Sequence, residues 1–184
     1  TIRRDTSGPD TRFDQLPTIS PYGSGPYSLT FAFSMAGTDL SGLAGFECSI
    51  NGPLISNAFV PCDSPKLYQF LELNFDYVLR VRAKDIAGNV DPTPVVHQWR
   101  VAKDPSAPVI TELLEGTLGN NGWYRSDVQL RWSIVDAETP TTIIAGCNEL
   151  LIATDATARS EYCNARSGGG DGFFHQRLQA VVGH

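Results

Sequence analysis

The side chains with chemistry to offer are few, and four of them are cysteines. Cys48 and Cys62 stand close together in the first half, Cys147 and Cys163 in the second. None has the CxxC spacing of a zinc or thioredoxin-type site, and no histidine lies beside them. Two local pairs read as disulfides, Cys48–Cys62 and Cys147–Cys163, each worth ~3 kcal/mol on the chain-entropy model. Such staples suit thin cores and oxidising compartments, so the expected location is secreted or at the cell surface. The other reading is four buried free thiols in a cytosolic chain.

Oxygen ligands come next. Asp85-x-x-Gly88-Asn89-x-Asp91 sets two carboxylates and an amide around one bend, and Asp104 follows downstream. Ca²⁺ takes six to eight oxygens, so Asp85, Asn89, Asp91 and Asp104 form a candidate calcium set. Turn capping, with Asp85 and Asn89 bonding nearby backbone amides, is the plainer expectation. Trp123-Tyr124 follows a Gly119–Gly122 turn; the pair either stacks on a sugar ring or covers the open end of its own domain. Of the three histidines, His97 shares the parity of Val95, Trp99 and Val101 and belongs at a core margin, His175 opens the last strand, and His184 is the final residue. No P-loop, GxSxG elbow, HExxH or dinucleotide glycine fingerprint occurs. No catalytic residue is assigned and no enzymatic activity is expected.

Charge narrows the partners. With 14 Lys and Arg against 20 Asp and Glu, the net charge of −6 disfavours nucleic acid and anionic membranes. The basic row Arg80, Arg82, Lys84 reads as a solvated strand face, and no apolar run approaches the ~20 residues that span a bilayer. The chain opens at Thr1 without an initiator Met or a signal-peptide core, as a processed chain or excised fragment would.

The elements that must position these residues are strands. Tyr77, Leu79, Val81 and Ala83 alternate with Val78, Arg80, Arg82 and Lys84, the period of a half-buried antiparallel strand. Ala87-Gly88-Asn89 allows a reversal, Pro92 and Pro94 delay the next strand, and Val95–Val101 closes a hairpin. Tyr27–Met35 and Leu43–Ile50 are further strands, Ala58–Cys62 and Leu67–Leu73 shorter candidates, and Leu16–Ser20 an edge strand. Seven strands in this length suit an immunoglobulin-like sandwich. Lys103–Pro108 reads as a short, stiff linker. Beyond it lie strands at Val109–Leu114 and Asp127–Val135, with Val128, Leu130, Trp132 and Ile134 facing in. Thr141–Gly146, Glu149–Ala153 and Ala158–Cys163 are weaker; Ser167–Gly172 reads as a flexible tip before Phe173–Val182. The expected architecture is all-β: an arm at 1–10, sandwich domains at 11–102 and 109–184, and the linker 103–108 between them.

Phe46-Glu47-Cys48-Ser49, Pro61-Cys62, Ser64-Pro65 and Val81-Arg82-Ala83-Lys84-Asp85-Ile86-Ala87-Gly88-Asn89-Val90-Asp91-Pro92-Thr93-Pro94, followed by Trp99, resemble the bacterial immunoglobulin-like repeats of large secreted and surface proteins. The match covers about Thr11 to Val101. The second half resembles a companion module through Pro108, Gly116-Thr117, Asn121-Gly122-Trp123-Tyr124, Ser126-Asp127-Val128, Trp132, Gly146-Cys147, Cys163 and Ser167-Gly168-Gly169; Phe173-Phe174-His175-Gln176 departs from that pattern. The resemblance implies a stalk, spacer or adhesin segment, or a subunit of an extracellular assembly. Neighbouring modules or copies of the chain are the expected partners, with the arm Thr1–Ile19 added as a strand to a sheet edge. A carbohydrate-binding module using Trp123 and Tyr124 on surface glycans is the alternative; a small hydrolytic domain ranks last.

Overall fold

The computed structural model describes residues 2–53, 57–120, 122–153 and 159–178, and among them every regular element is a strand. Thr1, Asn121, Ala158, Val182 and His184, named above, lie outside the described residues. The chain forms two compact units. The first holds residues 1–21 and 25–102, the second residues 22–24 and 103–184.

In chain order the first half carries β1 (Asp10–Gln15), β2 (Tyr22–Gly23), β3 (Tyr27–Ala36), β4 (Leu43–Ile50), β5 (Val60–Cys62), β6 (Lys66–Leu71), β7 (Tyr77–Asp85), β8 (Val95–Trp99) and β9 (Ala102–Lys103). In the first unit β1-β3-β6 form one sheet and β5-β4-β7-β8 another, every pairing antiparallel. Their inner faces share one core: Leu29, Phe31, Phe33 and Leu71 from the first sheet, and Cys48, Ile50, Tyr77, Leu79, Val81 and Trp99 from the second. Burial along β7 alternates as its sequence does, with Leu79, Val81 and Ala83 at 0 % exposure. This is β-sandwich packing. Trp99 donates its indole N–H to the Tyr27 hydroxyl at 3.0 Å, which satisfies a polar group that burial would otherwise strand.

Two expectations shift. The first strand is Asp10–Gln15 rather than Leu16–Ser20. Thr11 and Phe13 turn inward while Arg12 and Asp14 face out, whereas Pro17 and Pro21 have no N–H to give a ladder. Because β1 pairs with β3 of its own unit, that part of the arm is already a strand. The basic row is also less open than its spacing suggests. Arg82 bonds Glu47 at 2.6 Å and lies 4.0 Å over the Phe59 ring.

The second unit carries β10 (Val109–Glu115), β11 (Val128–Val135), β12 (Thr142–Gly146), β13 (Leu150–Ile152), β14 (Arg159–Ser167) and β15 (Gly170–Leu178), in sheets β10-β11-β13 and β12-β14-β15. Its buried residues form two smaller groups, Val128 with Leu130 and Ile152, and Ile110 with Cys163 and Ala165; Trp132 packs against both. The expected flexible tip is instead a tight hairpin, in which Ser167 pairs with Gly170 across β14 and β15. Glycine is required there by space: a Cβ on Gly169 would fall 1.6 Å from the Ser106 carbonyl oxygen. Disulfides join Cys48 to Cys62, clasping β4 to β5, and Cys147 to Cys163, clasping the end of β12 to β14. Among the described residues no cysteine is free, a state that suits an oxidising compartment.

Candidate functional site

Each unit gathers carboxylates at the end of the sandwich where its chain enters. In the first, Asp5, Asp39 and Asp85 each bring an oxygen within 4.8 Å of the others; in the second, Asp104, Asp136 and Glu138 do the same. Asp5 and Asp104 occupy equivalent places, since Asp5-Thr-Ser-Gly-Pro9 and Asp104-Pro-Ser-Ala-Pro108 each lead into the first strand of their unit.

The candidate calcium set is thereby divided. Asp85, 1 % exposed at the end of β7, keeps Asn89 as its neighbour: Asn89 donates its backbone N–H to Oδ1 at 2.7 Å and its side-chain amide to Oδ2 at 2.8 Å. Gly88, at φ +96, lets the chain double back for both bonds. Burial alone would raise the Asp85 carboxyl; the donors from Asn89 and Gly88 outweigh it and hold the group below the usual carboxylate range. Asp91 joins a different network. The Thr11 hydroxyl donates to its Oδ2 at 2.6 Å and accepts the Ala83 N–H at 2.8 Å, while Thr93 N–H donates to Oδ1 at 2.7 Å. Asp104 belongs to the second unit, where Ser106 N–H donates to Oδ1 and the Thr139 hydroxyl to Oδ2. That hydroxyl accepts in turn from Gly168 N–H at 2.8 Å. Both units therefore use one device: a buried threonine hydroxyl passes a backbone donor on to a buried aspartate.

The remaining carboxylates hold loops. Asp39 Oδ1 accepts from the Ser41 and Gly42 N–H groups, and Asp5 Oδ2 from Ser41 N–H. Asp136 Oδ1 accepts from Thr139 and Glu138 N–H, bonds that lower its pKa, while Oδ2 is buried with no hydrogen-bond partner. These oxygens are hard ligands of the kind that suit Ca²⁺. Neither group contains a histidine or cysteine, and Asp85 and Asp136 are held ionised, the opposite of a carboxyl poised to donate a proton near neutrality.

The other candidates separate too. Tyr124 packs against the core of the second unit, whereas Trp123 is 43 % exposed and its backbone N–H donates to the Asn120 carbonyl within the turn. His97 sits among the rings of Phe13, Phe31 and Trp99 at the expected core margin; burial lowers its pKa, and Nε2 is buried without a partner. His175 lies within β15, facing Tyr162 across the ladder.

Sequence reading missed Asp5, Asp39, Asp136 and Glu138, although the repeated Asp-x-x-x-Pro before each first strand marked two places where a carboxylate enters a sandwich end. It also missed Glu112, on β10 opposite Trp132, whose carboxyl burial pushes up and whose Oε2 has no partner. No protein-family model matches the chain, and comparison with curated proteins finds no match.

Proposed function

We propose that this chain is a structural or adhesive segment of an extracellular protein: two immunoglobulin-like sandwich modules in tandem, joined through the short proline-containing stretch 103–108, without catalysis. The observation that supports this most directly is the repetition of one mechanical design. Each unit is an antiparallel sandwich whose own disulfide clasps neighbouring strands, Cys48–Cys62 in one and Cys147–Cys163 in the other. A crosslink within a unit limits how far that unit can extend under load, and it persists where thiols are oxidised. The resemblance to bacterial surface repeats points the same way, with neighbouring modules or copies of the chain as partners.

Single-molecule stretching tests the reading. The expected record has two unfolding events whose extensions lengthen after reduction, because each disulfide hides the chain between its cysteines. One event, or lengths unchanged by reductant, would count against it. The second reading, a carbohydrate-binding module, draws on the exposure of Trp123. Saturable quenching of tryptophan fluorescence by a polysaccharide, lost in Trp123→Ala, would favour it over the first.

A further inference from the structure

Parity lays out the outer face of the β12-β14-β15 sheet. Cys163, Ala165 and Ser167 are buried, so Tyr162, Asn164 and Arg166 point the other way along β14. Cross-strand partners share a face, which adds His175, Phe173 and Asp171 from β15, and Ala145 opposite Asn164 on β12.

Two rings dominate this face. Tyr162 is 45 % and Phe173 66 % exposed, with centroids 6.3 Å apart and planes within 28° of each other. A Cβ on Gly146, which sits at φ +69, would come 2.9 Å from two ring carbons of Tyr162, so glycine there lets one side of the ring settle against β12. The exposed apolar surface is thus a low shelf of two near-parallel rings. Hydrogen-bonding groups border it. Arg166 donates Nε–H to Asp171 Oδ1 at 2.5 Å and Nη2–H to Oδ2 at 2.9 Å, so these two charges cancel within the face. Asn164, directly opposite Phe173 in the ladder, is half-buried, and its Oδ1 is covered with no hydrogen-bond partner. An unmet acceptor costs free energy that an arriving donor recovers, and turning the amide about χ2 exchanges its oxygen and nitrogen ends.

A pyranose ring has the matching anatomy. Its C–H face packs on the electron-rich face of an aromatic ring, while its equatorial hydroxyls donate and accept around the rim. The Arg166–Asp171 pair leaves no call for a charged ligand. The β14–β15 ladder runs from Arg159 to Ser167 without a bulge, and a bulge-free face with two rings suits an extended chain of sugars. The geometry points to a binding face for a neutral, equatorially linked polysaccharide. Phe173 and Tyr162 carry the sugar faces, and Asn164 Oδ1 accepts a hydroxyl. This face belongs to the other sheet of the unit from the β10–β11 turn that bears Trp123. The inference goes beyond the structural role proposed above and does not rest on it.

Amide chemical shifts of the disulfide-intact chain test it, titrated with cellopentaose, mannopentaose and xylopentaose to about 5 mM because open faces bind weakly. Saturable shifts at Tyr162, Asn164 and Phe173 are expected with at least one of these β-1,4-linked sugars, and weaker ones with maltopentaose, whose axial linkage curves the chain. Phe173→Ala and Tyr162→Ala should each weaken binding about tenfold, while Tyr162→Phe, which keeps the ring, should stay within about twofold of the parent. Phe173 is exposed, so its variant should melt as the parent does and decides the matter should Tyr162→Ala fold poorly. No saturable shift with any of the three sugars, equal binding of maltopentaose, or loss in Trp123→Ala in place of Phe173→Ala overturns the proposal. Shifts at these residues that follow protein concentration without sugar, and that Phe173→Ala abolishes, would give the face to a second copy of the chain and overturn it as well. None of these failures touches the stretching result on which the structural role stands.

Discussion

Thr11 and Thr139 show how much depends on one hydroxyl. Thr11 is 8 % exposed and Asp91 1 %, and the hydroxyl is the only polar group on that side chain able to serve both the Ala83 N–H and the aspartate. Thr11→Val keeps the shape and leaves a buried donor and a buried carboxylate oxygen short of a partner. That costs roughly 1–3 kcal/mol, or more for the charged group, measurable as a lower denaturant midpoint at unchanged slope. His97 makes a pH prediction with a definite sign. Burial lowers its folded pKa from the ordinary 6.5, so the fold holds the ring neutral while the unfolded chain takes the proton more readily. Its contribution is full above about 6.5 and lost as pH falls below it. Stability measured from pH 7.5 to 5 should therefore decline less in His97→Leu than in the parent. The parity of His97 was legible in the sequence, because period-two alternation fixes a face. Thr11 was not, because its two partners come from β7 and the turn beyond, far along the chain.

Among the elements, the strands with clean alternation were read almost to the residue. Leu43–Ile50 is β4, and Tyr27–Met35 is β3 less one residue. Short strands were placed less well. Val60–Cys62 and Leu150–Ile152 span three residues each, too few for periodicity to set their ends. The acidic ends escaped because Asp5, Asp39 and Asp85 are neighbours only once three separate loops converge, which no local spacing reports. The disulfides, by contrast, followed from cysteine arithmetic alone. Replacing Cys48 and Cys62 by Ser together removes a crosslink spanning a sequence separation of 14, at a cost of about 3 kcal/mol. Calorimetry should show only the transition of the first unit moving down.

At the scale of the whole molecule, the two cores differ. The first unit packs one continuous group of 12 buried hydrophobic residues; the second, among its described residues, has two groups of three. The second unit should therefore melt first, as a separate transition. Phe33→Ala and Leu130→Ala, both at sites almost fully buried, should each cost roughly 2–5 kcal/mol. The first should lower only the upper transition and the second only the lower one; joint movement of both would mean that the units unfold as one.

The two bare glycines that open the β14–β15 hairpin carry one more consequence. A side chain has no room at either: a β-carbon on Gly169 would fall 1.6 Å from the Ser106 carbonyl oxygen, and one on Gly168 2.9 Å from the Thr139 hydroxyl. Drift at these two codons is therefore closed off, because even one methyl group must displace the backbone or the hydroxyl that carries the hydrogen bond to Asp104.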